Sequence, residues 1–426
     1  LDKMEEEDVR QEVPEMEKPE MEPEDMATEN FNEDMAQTET SIDVDSMTVA
    51  LGSSPLKISG MLGGRTGSGK GMGSGATPSS RRAVINALKW LAAKQTNSSY
   101  PWPYKAHPNA VNSAAVLAFL GDGHSTRGGE YSETVDVFVD AYIKKQRPNG
   151  SVGNHGHATP FVVMAMCDAY AMDPDNQRLQ KFCRAAIDYA LKTQHHNGAW
   201  SGGARSDPKD ADKIDVSATG WWVMALISAQ LAGMDVPDQA LDKARQVLMK
   251  VGKGNFDGEI LFTSHGGKHK TYDKELGIKS FVMTSLQFLG VPRDNKLIQK
   301  LSRDVVANIP PKGERNYWLT YFQGMGLFQL GRKSREWQKF RSNVIKDLVK
   351  TYKNTNNGAY WNNLPAYRGG DAGGGRSETG AEMHYWGNVG ATAMAVLNLE
   401  VFYRYGDVHA AYEKYNSIAP PGGAKL

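Results

Sequence analysis

The chain holds only 2 cysteines in 426 residues. Cys167 and Cys183 sit among apolar residues at helical spacing, so they read as buried thiols. Two cysteines supply neither a disulfide framework nor a cysteine-based metal site. No run of about 18 apolar residues occurs, so no segment of the chain as given reads as a transmembrane helix. No Ser stands in a Gly-x-Ser-x-Gly turn, which removes the nucleophile elbow of a hydrolase. The chain opens on Leu1 rather than Met, so an upstream segment is expected to have been removed, and a secretion signal or a membrane anchor could have gone with it.

Net charge is also missing: 49 basic residues balance 49 acidic ones. The balance hides a split. Residues 1–50 contain 18 acidic and 3 basic residues, leaving a basic body behind an acidic arm. Such a body invites a nucleic-acid reading, but no recognition motif accompanies it, so nucleic acid is not an expected partner. Glu, Met and Pro dominate the arm. Low hydrophobicity and like charge leave too little burial to offset ordering entropy, so 1–59 is expected to be a disordered acidic tail. A protein partner is the role such a tail would serve. Residues 60–77 form a Gly-rich linker. Gly64 and Gly69-Lys70 have phosphate-loop spacing, but Gly71 stands where Ser or Thr would hold magnesium, and no apolar strand precedes it.

From Pro78 the texture becomes periodic. Amphipathic segments near 79–95, 132–146, 178–194, 238–251, 294–308 and 334–353 alternate with nearly all-apolar ones near 111–120, 157–171, 216–232, 278–289, 317–330 and 388–405. A helix apolar all round is buried on every side, and an amphipathic one faces water on one flank. The simplest arrangement is an inner ring of apolar helices within an outer ring of amphipathic ones, an all-α toroid of about six helical hairpins spanning 78–410, with 411–426 as a C-terminal tail. The junctions repeat as well. Gln146-Arg-Pro-Asn149-Gly150, Gln194-His-His-Asn197-Gly198-Ala-Trp200 and Asn356-Asn357-Gly358-Ala-Tyr360-Trp361 each end an outer helix with Asn-Gly, and Gln95 with Trp102 is a looser copy. Gly after Asn ends a helix in the left-handed region at little steric cost. The aromatic can then fold back onto the hairpin while the Gln amide ties down loose backbone groups.

Tyr189-Ala-Leu-Lys-Thr-Gln194-His-His-Asn-Gly198-Ala-Trp200 resembles the QW motif of the prenyltransferase and squalene-cyclase repeat family, and the likeness covers about residues 79–405. Leu117-Ala-Phe-Leu-Gly-Asp-Gly-His124, Asp215-Val-Ser-Ala-Thr-Gly-Trp221 and Leu399-Glu-Val-Phe-Tyr-Arg-Tyr405 are similar to that superfamily's uncharacterised bacterial members. The resemblance implies a terpenoid cyclase-like α/α toroid with a funnel-shaped central cavity. Squalene–hopene-type cyclases carry Asp-x-Asp-Asp-Thr at the start of an inner helix. The matching stretch here is Asp215-Val216-Ser217-Ala218-Thr219, which keeps the first Asp and the Thr but loses both middle acids. The Asp, Cys and His zinc set of protein prenyltransferases is not matched by Cys167 or Cys183. The Gly-Cys-Gly-Glu-Gln of thioester toroids is missing.

Alternating hairpins make all inner helices parallel, so their N-termini open at one rim, where dipoles and unpaired N–H groups favour polar or anionic ligands. The residues preceding or opening those helices define the candidate ligand site: His155, His157, Asp215, Trp221, Trp318, His384 and Trp386. Asp215 is the one candidate catalytic group, although an acid there is also an ordinary N-cap. His155, His157, Asp215 and His384 offer ligands suited to zinc, but nothing in their spacing demands a metal, and no cofactor is expected. Trp221 and Trp222 lie about 100° apart on a helix, so one faces the centre and the other packs between the layers. Three readings follow: a toroid binding a small or lipidic ligand at the mouth of its cavity, a cyclase or transferase using a different acid, and a non-catalytic interaction scaffold. The first two require a deep aromatic-lined cavity, and the third a filled one.

Overall fold

The structure, a computed structural model, describes residues 76–104, 107–152, 158–201, 213–262, 271–312, 315–362, 382–404 and 408–409. The acidic arm, nearly all of the Gly-rich linker and residues 411–426 lie outside them.

The described helices alternate between two kinds. The outer set is α1 (Pro78–Ala93), α3 (Ser132–Ile143), α5 (Gln177–Thr193), α7 (Asp238–Lys253), α9 (Lys296–Ala307) and a sixth helix in three parts. Those parts are α11 (Arg335–Phe340), a π-helical turn (Arg341–Ile345) and α12 (Lys346–Thr351). The inner set is α2 (Pro108–Gly121), α4 (Ala158–Met172), α6 (Val216–Leu231), α8 (Thr271–Phe288), α10 (Tyr317–Phe328) and α13 (Glu382–Arg404). Gly387, at φ 60° and ψ −167°, breaks α13 near its start.

Burial separates the two sets as their compositions require. Every residue of α6 and of α10 is buried. On α5, by contrast, only Leu179, Phe182, Cys183, Ala186, Ile187 and Ala190 are buried, a single stripe at helical spacing. Each inner helix packs against the next, and α13 packs against α2, closing the ring α2–α4–α6–α8–α10–α13. Cross-links along the ring keep register in one direction. Thr284 donates to the Phe322 carbonyl at 2.7 Å, and Gln287, three residues on, donates to the Gly326 carbonyl at 2.9 Å. α8 and α10 therefore run parallel, and Arg404 at the end of α13 reaches Leu117 and Asp168 near the ends of α2 and α4, which sets those three in one direction. Small residues permit the close approach: a Cβ on Gly326 would press on Thr284 Oγ1 and Met283.

The junction chemistry is repeated in space. Gln95, Gln146 and Gln194 each donate to a carbonyl in the first turns of the next outer helix, those of Thr134, Phe182 and Ala240, at 2.7, 2.9 and 2.8 Å. Trp102, Trp200 and Trp361 fold back so that each indole N–H reaches a carbonyl of the preceding outer helix, on Leu91, Ala190 and Leu348, at 2.8, 2.9 and 3.0 Å. The backbone N–H groups of the same residues donate to inner-helix side chains, those of Asn112, Thr219 and Thr392, at 2.9, 3.1 and 3.1 Å. Gly198 and Gly358 have φ of 93° and 109° and lie on the backbone of Lys243 and Asn86. The second contact joins the sixth hairpin to α1, and Tyr360 stacks on Trp90 at 5.1 Å, so the outer ring closes too.

Among the described residues, four short strands complete the architecture. β1 (Lys213–Asp215) and β2 (Glu259–Leu261) pair in parallel just before the inner helices α6 and α8. β3 (Lys353–Thr355) and β4 (Gly358–Tyr360) form a hairpin before α13. Three-residue strands carry too little periodicity to stand out in the sequence. Cys167 and Cys183 meet between α4 and α5, both buried and free. The Cys183 hydrogen bond and burial push the Cys167 thiol well above its usual range.

Candidate functional site

The N-terminal ends of the inner helices share one rim. Asp215 is buried there and caps α6: its Oδ1 accepts from the Ser217 and Ala218 N–H groups at 3.0 and 3.1 Å and from Ser217 Oγ at 2.8 Å. Asn316 does the same for α10, accepting from the Trp318 and Leu319 N–H groups at 3.0 and 3.3 Å. These caps satisfy helix donors that would otherwise need water or a ligand. Beside Asn316, Arg315 pairs with Asp347. Burial, with the Asp347 carboxylate nearby, pushes the Tyr317 phenol up to about 12.

Beneath the rim, aromatic rings meet across the toroid axis. Trp221 of α6 lies 4.1 Å from Phe161 of α4 and 4.8 Å, edge-on, from Phe322 of α10. Trp318 is 6.1 Å from Trp221 and 4.9 Å from Phe281 of α8, which stacks on Phe322 at 3.6 Å. Since α8 stands between α6 and α10 in the ring, the Trp221–Phe322 contact crosses the centre. Trp221 and Trp318 are only 1% and 3% exposed, so nearly all of each ring is covered by its neighbours. Trp222 turns the other way, to Trp200 and Tyr189 at 6.2 Å each, between the inner and outer layers. The two adjacent tryptophans thus divide as the 100° step requires.

Of the seven candidate residues, the structure brings Trp221 and Trp318 together and sets Asp215 at the start of the helix that bears Trp221. His155 and His157 lie outside the described residues. His384 and Trp386 fall within the bounds of α13, but their side chains lie outside the description. Among the zinc candidates only Asp215 is therefore described, and among the described residues no group of three His, Cys, Asp or Glu could hold a metal.

The far end of the inner ring holds residues that the sequence did not place among the site candidates. Arg404 near the end of α13 donates to Asp168 of α4 at 2.8 Å and to the Leu117 carbonyl of α2 at 2.6 Å. Glu400, one turn earlier, lies 3.9 Å from Arg404. All three charged side chains are fully buried. The available signal was an acid and a base four residues apart in an all-apolar helix, which cannot both be buried without partners.

No known family profile matches the chain. Over 100 residues it is 28% identical to the ent-copalyl diphosphate synthase of Streptomyces sp. (strain KO-3988), a match covering 23% of this chain and 19% of that enzyme. The matched stretch thus spans under a fifth of that curated relative. Two solved structures share the overall architecture. One is an inactive variant of an α-1,6-mannanase of Salegentibacter sp. in complex with α-1,6-mannotriose, at TM-score 0.50 and 12% identity, covering 75% of this chain and 98% of that one. The other is an unsaturated glucuronyl hydrolase from Bacillus sp. GL1, at TM-score 0.50 and 14% identity, covering 75% and 96%. The chain is an α/α toroid of six helical hairpins. It carries a local sequence likeness to a terpenoid cyclase. Among the described residues no helix is long and apolar enough to cross a membrane.

Proposed function

We propose that the chain is a ligand-binding toroid of the prenyltransferase and squalene-cyclase repeat type, which takes a small or lipidic molecule at the mouth formed by its inner-helix N-termini. The observation that carries this reading is the aromatic group directly under that rim: Trp221, Trp318, Phe161, Phe281 and Phe322, drawn from four inner helices. The rings are closed on one another, so they would offer apolar area and π-faces to a prenyl chain only by parting to admit it. Glycoside hydrolysis requires two carboxyl groups roughly 5–9.5 Å apart. Among the described residues Asp215 is the only buried carboxylate at this end, and it caps a helix; Asp168 and Glu400 lie at the other. The described groups therefore favour an apolar or amphipathic ligand over a sugar such as the mannotriose in complex with that mannanase. The reading calls for no cofactor. A cyclase or transferase using a non-standard acid is the catalytic form of the same proposal.

A second reading, the non-catalytic scaffold, draws on the closeness of the same rings, which leaves Trp221 and Phe322 almost wholly covered. Tryptophan fluorescence separates the two. Titration with geranylgeraniol should quench emission saturably, mannotriose should not, and Trp318→Ala should weaken the response. A flat response to prenyl alcohols, with no molecule released on denaturing the purified protein and extracting it into solvent for mass spectrometry, would leave the scaffold standing.

A further inference from the structure

The outer surface of the toroid is divided by charge. Residues 293–353 contain 14 basic and 5 acidic residues, and 78–94 contain four basic residues and no acid. These stretches include three neighbouring outer helices, since α9 packs on α11 and α12 packs on α1. Lys296 and Lys300 form an exposed i, i+4 pair on α9; Arg335 and Lys339 do so on α11; Lys350 and Lys89 are exposed on α12 and α1. Two acids within this face, Asp304 and Asp347, are engaged by bases. Asp304 lies 3.1 Å from Lys279, and Asp347 pairs with Arg315 and with Lys312 at 3.2 Å. The opposite side of the ring is balanced: residues 95–292 contain 20 basic and 20 acidic residues, although α5 and α7 by themselves carry a basic excess. There α3 presents Asp136 and Asp140, and Arg178 of α5 pairs with both.

The geometry points to an intramolecular docking surface: the basic face of α9, α11–α12 and α1 receives the chain's own acidic segment, residues 1–50. Three observations carry it. First, the charges are complementary, because the segment holds 18 acidic and 3 basic residues and carries most of what balances the body. Second, the segment enters the ring through α1, which is part of the face. Third, the reach suffices. The roughly 25 residues between the acidic segment and α1 span about 25–30 Å as a flexible Gly-rich coil. Neighbouring helices are about 10 Å apart, so α9 lies within range. Tethering on that scale gives an effective concentration in the millimolar range, so the segment outcompetes dilute polyanions without any specific contact. Attraction of this kind is screened beyond about 8 Å at physiological salt and nearly abolished at 1 M. The surface would then be opened to an outside acidic partner only when that partner displaces the segment.

The test uses the full chain. A carbodiimide couples carboxylates directly to amines, and mass spectrometry reads the pairs. Cross-links from residues 1–50 should concentrate on Lys296, Lys300, Lys339, Lys350 and Lys89. They should avoid the exposed Lys181, Lys192 and Lys243 on the other side and be lost in 1 M salt, where the hydrodynamic radius should rise. Mixing ¹⁵N-labelled with unlabelled protein should give no mixed pairs. The variant Lys296→Glu, Lys300→Glu, Lys339→Glu, Lys350→Glu should reproduce the high-salt radius at low salt and lose the links to Lys89, with its helical circular dichroism retained. Links spread evenly over both sides, or a radius indifferent to salt, would overturn the proposal. Isotopically mixed pairs would reassign the contact to a second copy. If the variant fails to fold, the salt series on the unaltered chain decides alone.

Discussion

Arg404 joins Asp168 at 2.8 Å with both side chains fully buried, tying the last inner helix to the second one across the end of the first. Removing one partner strands the other in a low-dielectric interior. Arg404→Met should therefore cost roughly 3–5 kcal/mol in denaturant unfolding. Replacing Asp168 and Glu400 with Leu in the same chain should recover much of the loss, because a packed apolar substitute is often no worse than a buried ion pair. If the single variant unfolds at the parental midpoint, the ring does not depend on this tie.

The two rings should differ in sensitivity. Leu226 is fully buried on α6, and Leu226→Ala should destabilise by about 2–5 kcal/mol through lost burial and a residual cavity. Trp222→Ala belongs to the same class. Lys192 is exposed on α5, and Lys192→Ala should change stability by under about 0.5 kcal/mol. Thermal midpoints measured side by side decide the matter.

The hairpin junctions give a finer test. Trp200→Phe keeps the ring in place but removes the donor to the Ala190 carbonyl, at an expected cost of about 1–3 kcal/mol. Gly198→Ala should cost more than an ordinary surface change, because φ is 93° and the added methyl meets the Lys243 backbone. Equal midpoints for Gly198→Ala and Lys192→Ala would contradict the packing.

Acid should weaken the first hairpin through His124. Burial, aided by Arg81, lowers its pKa below the ordinary 6.5, despite the raising effect of Glu130. Asp122, 3.3 Å from Nε2, would favour the proton, but it already pairs with Arg81. The folded chain thus binds this proton less readily than the unfolded one. The stabilisation is present above the unfolded pKa and is lost as pH falls from about 6.5 through the folded value. His124→Gln should flatten this part of the stability–pH curve between about pH 5 and 7. An unchanged slope would remove His124 from the account.

No proton-initiated cyclisation of squalene is expected. Protonating an alkene needs a neutral acid aimed into a dry pocket. Asp215 Oδ1 instead receives three donors from its own helix start, and Ser217 and Ala218 occupy the places of the missing acids. Incubation with squalene and shorter polyprenyl substrates, read by gas chromatography and mass spectrometry, should give no cyclic product. A cyclic product that disappears in Asp215→Asn would restore the cyclase assignment.

The architecture was legible because the chain alternates two textures, and an all-apolar helix has nowhere to go but inside. Its limits followed the same physics. Helix α8 begins at Thr271, seven residues before the apolar run near 278, since its first turns keep polar residues such as the exposed Glu275. The π-helical turn at Arg341–Ile345 leaves no trace in composition. Asp215 could be read as cap or acid, and only the geometry of its three donors separates the two. The meeting of Trp221 with Phe322 was not readable, because residues 101 positions apart are brought together by ring closure rather than by local spacing. The Asp168–Arg404 tie was hidden for the same reason.

The contact of Gly358 with the backbone of Asn86 has a consequence for how such a protein can change over time. An open array of repeats grows by duplicating a unit, and its end units need polar caps. Here the last hairpin docks on the first, so neither end is bare and the number of units is set by the circumference. An extra hairpin would have to breach the Gly358–α1 and Trp90–Tyr360 seam and shift every crossing around it. Descendants of this chain should therefore vary in the connections between helices while the tally of hairpins stays at six.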